Sequence, residues 1–369
     1  MLTHNPKPPQ PSSVLSIPAS TGGSPNCSSM SPSPAGTSIH ARPQVSVIIP
    51  THHRPVLVER AIRSALGQSF QDIEVIVIVD GSDADTETRL EHLDDERLHV
   101  LCLRDSVGGA DARNLGVRYS RGKWVALLDD DDEWLPMKLS VQWAAAEKMS
   151  GEQVFIASRF IERTENAERV LPKRSPSKNE EFSEYLFARQ GWTSGEAFLQ
   201  TSTWFVSRQL MLRVPFTTGL KRCQDLDWLL HATSLPDTQV EVLTEVLAIF
   251  HHDERNERVS RTSDWKFLYD WAIANRSLFS HKAFAYFVAT FCAPAARKQR
   301  EGWRTFLFLL KKGIFGEYSS AKCLLLLLVC WFIPEANRRH IRAIVVTRLE
   351  TREKSPAVWV NHQLSRRSS

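Results

Sequence analysis

Trp124-Val125-Ala126-Leu127-Leu128 is an apolar run that ends abruptly in Asp129-Asp130-Asp131-Asp132-Glu133-Trp134. With Lys123 before it, residues 123–128 read as a buried strand, and the carboxylates then sit just past its end. Upstream, residues 98–103, 73–79 and 45–50 are short runs of the same kind, the first in the chain stopped by Pro50. Helical spacing fills the gaps: residues 56–66, where Val58, Ile62, Ala65 and Leu66 share a side; residues 86–93; and a segment opened by Gly108-Gly109 that runs to Tyr119. Strands alternating with helices predict an α/β fold with a doubly wound, mostly parallel sheet flanked by helices. A polar cluster follows the carboxyl ends of these strands, which is where ligands bind in such sheets.

Downstream the alternation loosens. A helix to about residue 148, a strand over 154–157, a polar loop over 162–181, a strand over 203–206, a helix over 225–233 and a strand over 245–250 are expected. From residue 256 the pattern is helical, aromatic and basic. Residues 1–43 are rich in Pro, Ser, Thr and Gly and too poor in large apolar side chains to offset their ordering entropy, so disorder is expected there. The chain thus divides into a disordered segment (1–43), an α/β domain (44–255) and a basic, mainly helical C-terminal region (256–369).

At 42% hydrophobic and 24% charged, the 369 residues suit a globular protein with a sizeable core. A net charge of +4 gives no reason to expect nucleic acid as a partner. Its distribution is more telling. Residues 256–369 carry 20 Lys/Arg against eight Asp/Glu, a net +12 that leaves the rest at −8. An acidic front suits a bound cation, and a basic tail suits an anionic surface. The six cysteines show no C-x-x-C spacing, so neither zinc nor a disulfide framework is expected, and a reducing cytoplasm is the default. No signal peptide is expected at the N-terminus, and the ten-residue apolar run 324–333 falls short of the ~20 that a membrane span requires.

Carboxylates delivered by a strand to a sheet edge suit a hard divalent cation, Mg²⁺ or Mn²⁺, with Asp129 and Asp131 as ligands. The competing reading is a solvated acidic turn, but four adjacent like charges beside a buried strand are costly without a cation. An EF-hand is excluded, because Trp134 and Ser140 stand where its glycine and glutamate belong. Asp80, in Val79-Asp80-Gly81-Ser82-Asp83, can accept from a base or a ribose hydroxyl, or simply form an Asx turn. Gly108-Gly109 at a helix start suits phosphate, with Arg113 to neutralise it, although Gly-Gly is also a plain turn. A dinucleotide fold fails at the first turn, where Pro50-Thr51-His52-His53-Arg54 replaces G-x-G-x-x-G.

Taken in order, residues 45–51, 79–83, Ala112-Arg113-Asn114 and 127–134 resemble glycosyltransferase family 2, with its P-T-x-x-R, V-D-D-G-S, A-R-N and L-D-x-D-D motifs. One aspartate rather than two precedes Gly81, a mild departure. The resemblance covers about residues 45–250 and implies the GT-A fold. It also implies a UDP- or dTDP-type nucleotide-sugar donor, with Pro50, Thr51, Asp80, Arg113, Asp129 and Asp130 on the nucleotide-sugar side and Asp131 on the metal. Arg222-Cys223-Gln224-Asp225-Leu226-Asp227-Trp228-Leu229-Leu230 resembles the family's E-D-x-D-x-W-L-R acceptor helix, with glutamine for the usual glutamate. The family's catalytic base then falls on Asp225, a residue that could otherwise serve as a helix N-cap. Gln224, Asp227, Trp228 and Thr201 fall on the acceptor side. His251 or His252 matches a late metal ligand of some relatives, and a structural imidazole fits equally well.

The activity implied is inverting, metal-dependent transfer of a sugar to a hydroxyl of a glycan or lipid-linked acceptor, in cell-surface polysaccharide synthesis. A catalytically silent GT-A module that binds a nucleotide-sugar or a partner is the alternative; intact Asp129, Asp131 and Asp225 favour the enzyme. In the tail, Trp303 and residues 306–310 precede Lys311-Lys312, and the 324–333 run precedes Arg338, Arg339 and Arg342. Such helices either lie on the cytoplasmic face of a membrane as a peripheral attachment or pack on the catalytic domain.

Overall fold

The computed structural model describes residues 42–165, 167–191, 195–251, 264–318, 320–333 and 337. The expectations made for residues 1–41, His252, Arg338, Arg339 and Arg342 lie outside the described residues.

The first half alternates as expected. β1 (Val45–Thr51), α1 (Pro55–Leu66), β2 (Ile73–Val79), α2 (Ala84–Glu91), β3 (Leu98–Cys102), α3 (Gly109–Tyr119) and β4 (Trp124–Leu127) follow in order. β3, β2, β1 and β4 lie side by side and parallel. The second half is mixed. It contains β5 (Glu133–Trp134), α4 (Lys138–Ala146), β6 (Val154–Arg163), β7 (Glu168–Leu171), α5 (Phe182–Phe187), β8 (Phe205–Ser207), α6 (Arg208–Arg213), α7 (Gln224–Thr233) and β9 (Gln239–His251). The sheet continues from β4 through β8, β6 and β9 to β5, with β7 paired to β6. β8 runs antiparallel to β4 and β6, whereas β6 and β9 are parallel. Residues 162–181 are therefore not simply a loop. β6 extends into them and turns back as β7, with Arg163 and Arg169 paired across to Glu168 and Glu162. Cross-strand ion pairs hold this hairpin without the apolar alternation that reveals a strand.

Side chains alternate across the sheet. Val45, Val47 and Ile49 join a core beneath α1 and α4, whereas Ile48 points to the opposite core with Trp204, Trp228 and Leu229. Gly116 of α3 sits over Ile48, where a Cβ would come within 2.5 Å of its side chain.

α8 (Trp265–Ala274), α9 (His281–Phe287), α10 (Ala293–Lys298), α11 (Trp303–Leu309) and α12 (Ala321–Phe332) make up the C-terminal region, with π-helical turns after α9 and α11. Their core includes Phe187 of α5 and Leu230 of α7, so this bundle packs on the α/β part. Packing on the catalytic domain, one of the two expectations for the tail, accounts for its inner faces.

Candidate active site at the ends of β1, β2 and β4

Four adjacent aspartates leave β4, and each meets different partners. Asp130 is buried; it accepts from Thr51 Oγ1 (2.8 Å) and from Arg54 Nη1 (2.9 Å). Burial pushes its carboxyl up to about 6, against the pull of Arg54. Asp132 is fully buried and accepts from Ser202 Oγ (2.6 Å), from Gln200 Nε2 and from the His251 backbone N–H (3.3 Å). Burial, followed by the charges of Asp131 and Asp129, raises its carboxyl well above the usual range.

Asp129 and Asp131 are the more open pair. Asp129 is bonded by Arg113 Nη2 and by Gln200 Nε2 (3.2 Å), and its backbone N–H donates to Ser202 Oγ (2.9 Å). Asp131 faces Arg54 Nη1 at 3.2 Å, and its carbonyl accepts from Arg60. β5 follows at once and pairs with β9 through Glu133 and Ile249, which brings His251 to the edge of the acidic turn. There His251 Nε2 lies 3.3 Å from Glu133 Oε2, and burial lowers the imidazole's pKa against the pull of that carboxylate.

The β2 end is built differently. The Asp80 carboxylate accepts from Ser106 Oγ (2.9 Å) and from the backbone N–H groups of Val107 (2.6 Å) and Gly108 (2.9 Å). In this arrangement Asp80 ties down the loop that starts α3. His52 Nδ1 meets the Asp80 carbonyl at 2.5 Å, joining the β1 and β2 ends. Gly108 needs its missing Cβ, with φ at +87°. His53 also takes a positive φ, +53°, without that freedom, its Nδ1 lying 3.6 Å from Asp83 Oδ2.

Arg113 joins the acidic turn to α7. From α3 it pairs with Asp129, reaches Gln224 Oε1 at 3.3 Å and lies over the Phe216 ring. Gln224 opens α7 after Cys223, another left-handed residue, with φ +58°. Asp225 follows, half-buried in the first turn of the helix, where nearby backbone N–H groups favour its charged form. Burial raises its pKa; Arg113 opposes the shift and Asp129 adds to it, so Asp225 shares one electrostatic neighbourhood with the acidic turn. It also lines a small cavity of about 110 Å³ with Tyr185, Phe187, Leu199, Leu226 and Phe291.

Other expected site residues sit deeper. Asp227 is buried and accepts from Thr217 Oγ1 (2.6 Å) and from Trp271 Nε1 of α8 (2.8 Å). Trp228 packs in the core and donates to the Val214 carbonyl (2.6 Å). These two were read from the sequence as acceptor-side. The i+2 and i+3 steps from Asp225 turn them toward the C-terminal bundle and the sheet. Thr201 is buried in a short 3₁₀ turn, Thr201–Thr203. Arg54 was visible in the sequence as the arginine of the P-T-x-x-R turn, and Gln200 and Ser202 as neighbours of Thr201 in a segment expected on the acceptor side; none of the three was expected to organise the aspartates, which all three do.

Among the described residues, no group of three His, Cys, Asp or Glu side chains is arranged to hold a metal ion. Asp129 and Asp131, the less buried pair, carry carboxylate oxygens, the donor type that Mg²⁺ and Mn²⁺ take. Their present counter-ions are the guanidinium groups of Arg113 and Arg54.

Comparison with known proteins agrees with the geometry. The family model for glycosyl transferase family 2 matches residues 46–213. The chain is 26% identical over 254 residues to the amylovoran biosynthesis glycosyltransferase AmsB of Erwinia amylovora, covering 65% of this chain and 82% of that protein. It is 34% identical over 161 residues to the GalNAc(5)-diNAcBac-PP-undecaprenol beta-1,3-glucosyltransferase of Campylobacter jejuni, covering 42% of this chain and half of the other. Among solved structures, S. aureus TarS superposes with a TM-score of 0.54 at 15% identity, over 78% of this chain and 52% of TarS. At that identity the likeness shows the shared fold, the GT-A arrangement.

Proposed function

We propose that the chain, whose residues 46–213 match the model of glycosyl transferase family 2, moves a sugar, with inversion, from a nucleoside-diphosphate sugar to an acceptor hydroxyl. The observation that carries this reading is Arg113. One guanidinium reaches both Asp129 of the acidic turn and Gln224 beside Asp225. The donor-side charges and the candidate base thus flank a single cleft.

On the donor side, Thr51 and Asp80 close β1 and β2, and Arg113 supplies positive charge for phosphate. The donor is of the UDP or dTDP type. Asp129 and Asp131 are the residues that would hold Mn²⁺ or Mg²⁺, with His251, whose backbone N–H reaches Asp132, as the further candidate ligand. A cation bound there supplies charge neutralisation for the departing diphosphate. On the acceptor side, the Asp225 carboxylate takes the proton of the acceptor hydroxyl. The freed oxygen forms a bond to the anomeric carbon from the face opposite the diphosphate. The sugar–phosphate C–O bond breaks, and its electron pair leaves with the nucleoside diphosphate. A raised pKa makes Asp225 a stronger base than an exposed aspartate.

The acceptor is a lipid-linked sugar or a growing polysaccharide. Support comes from AmsB, named for amylovoran biosynthesis, and from the Campylobacter enzyme, named for an undecaprenol diphosphate substrate. The test is release of nucleoside diphosphate from a panel of donors with Mn²⁺, with and without an undecaprenol-diphosphate-linked sugar. Release from one donor, stimulated by the acceptor, is expected. Tight donor binding without any release would instead mark a silent binding module.

A further inference from the structure

α11 and α12 pack on the bundle with one face only. Phe306 and Leu309 of α11, and Leu326, Leu327 and Cys330 of α12, are buried. The outward faces are also apolar: Trp303 and Leu307 are 63% and 57% exposed, and Leu325 and Phe332 are 45% and 51% exposed. The Trp303 and Phe332 rings meet at 5.6 Å, so the two helices share one continuous patch. Lys322 is the single charged residue of α12. A helix apolar on every side belongs either inside a larger core or against lipid. At 12 residues α12 is too short to cross a bilayer, and no helix among the described residues is long and apolar enough to do so.

The charge around this patch identifies its occupant. Residues 297–333 hold seven Lys/Arg against two glutamates. Both glutamates are engaged, Glu317 by Arg276 and His281, and Glu301 by Trp265 and Thr305. Arg300, Arg304, Lys311 and Lys312 are exposed in the turns and helix flanking the apolar residues. Aromatic and aliphatic side chains framed by cations match a lipid surface with anionic headgroups, in which such helices lie flat.

We propose that the outward face of α11 and α12 docks this protein on an anionic lipid surface, with Trp303, Leu307, Leu325 and Phe332 entering the interface and Arg304, Lys311 and Lys312 meeting headgroups. The proposal rests on the transferase reading only for its purpose, access to a lipid-linked acceptor; none of these side chains belongs to the candidate site.

The experiment is co-sedimentation of the full chain with phosphatidylglycerol-rich vesicles and with pure phosphatidylcholine vesicles, at low and high salt. The native chain is expected to bind the anionic vesicles and to release as salt rises. Trp303→Ser with Phe332→Ser, and separately Arg304→Glu with Lys311→Glu and Lys312→Glu, should each cut binding at least about tenfold. Donor hydrolysis without vesicles should remain at the native rate in both variants, showing that they fold. Native-chain hydrolysis is a separate readout: its absence would sink the enzymatic reading and leave the vesicle result standing. Lack of binding at low salt would overturn the docking surface, as would variants that bind like the native chain, which would point to residues 334–369. So would variants that merely convert a dimer to a monomer, which would make the patch a contact between copies.

Discussion

Asp225 and Asp227 lie two residues apart on α7 and should fail in opposite ways when replaced. The Asp225 carboxylate meets backbone N–H groups at the helix start, and an asparagine oxygen accepts from these equally well. Its raised pKa means that the folded state already disfavours its charge, so Asp225→Asn should leave stability nearly unchanged. It cannot take a proton, and turnover should fall by about 10²-fold or more. Asp227 is the reverse case. Its carboxylate accepts from Trp271 Nε1 at 2.8 Å and from Thr217 Oγ1 at 2.6 Å, and it is buried. Asp227→Ala strips the buried Trp271 Nε1–H of its acceptor, at about 1–3 kcal/mol for a buried group left unsatisfied, whereas the exposed Thr217 hydroxyl can turn to water. It also cuts the tie between α7 and α8. A loss on the order of 2 kcal/mol should lower the thermal midpoint by several degrees, while the molecules still folded keep most of their kcat. The assays are a melting curve and nucleoside diphosphate release on each variant. Near-normal turnover in Asp225→Asn, together with a folded but inactive Asp227→Ala, would show that the base has been placed on the wrong aspartate.

Asp131→Ala should abolish the Mn²⁺-dependent part of donor binding while the melting curve stays close to native. Titration calorimetry with and without Mn²⁺ decides this, and a native protein indifferent to Mn²⁺ would refute it. The pH profile of kcat/KM should show an acidic limb above the usual aspartate range, because the Asp225 pKa is raised by burial and the base works only when deprotonated. Activity is then lost as pH falls through that raised value, and a flat profile down to the ordinary aspartate range would contradict the assignment. Deleting residues 1–43 should leave transfer unchanged in a folded protein, since their composition cannot supply a core; loss of activity in a folded truncation would disprove it.

The parts of the fold that could be read from the sequence were those whose burial leaves a compositional trace. β1 and β2 are covered on both faces, and their Val and Ile runs stand out with nearly correct ends. β7 escaped notice because its pairing with β6 runs through alternating arginine and glutamate. β9 was found over only part of its 13 residues, since its first half mixes exposed and buried positions. β5, two residues long, has no periodicity to detect. The site shows the same divide. Its acidic cluster is local in sequence and was plain, as was Asp225 through the motif around it. The partners that differentiate the aspartates come from 76 residues away for Arg54 and 68 for Gln200. No spacing within the chain encodes that meeting, which only the sheet order creates.

Four consecutive aspartates were expected to need a bound cation to offset their repulsion. The fold itself supplies the offset. Arg54 stands between Asp130 and Asp131, Arg113 pairs with Asp129, and burial drives Asp132 toward its neutral form. The acidic turn can therefore fold without metal. Charge of both signs, already positioned, is an arrangement suited to a ligand that brings its own mixture, such as a diphosphate with its counter-cation. On the proposed function, an incoming diphosphate would compete with Asp129 and Asp131 for the two arginines, and the carboxylates it displaced would become free for the cation. Metal binding would then be coupled to donor binding rather than to folding, so Mn²⁺ should bind far more tightly in the presence of the nucleoside diphosphate than alone; titration calorimetry with and without the diphosphate checks this, and equal affinity in both would refute it.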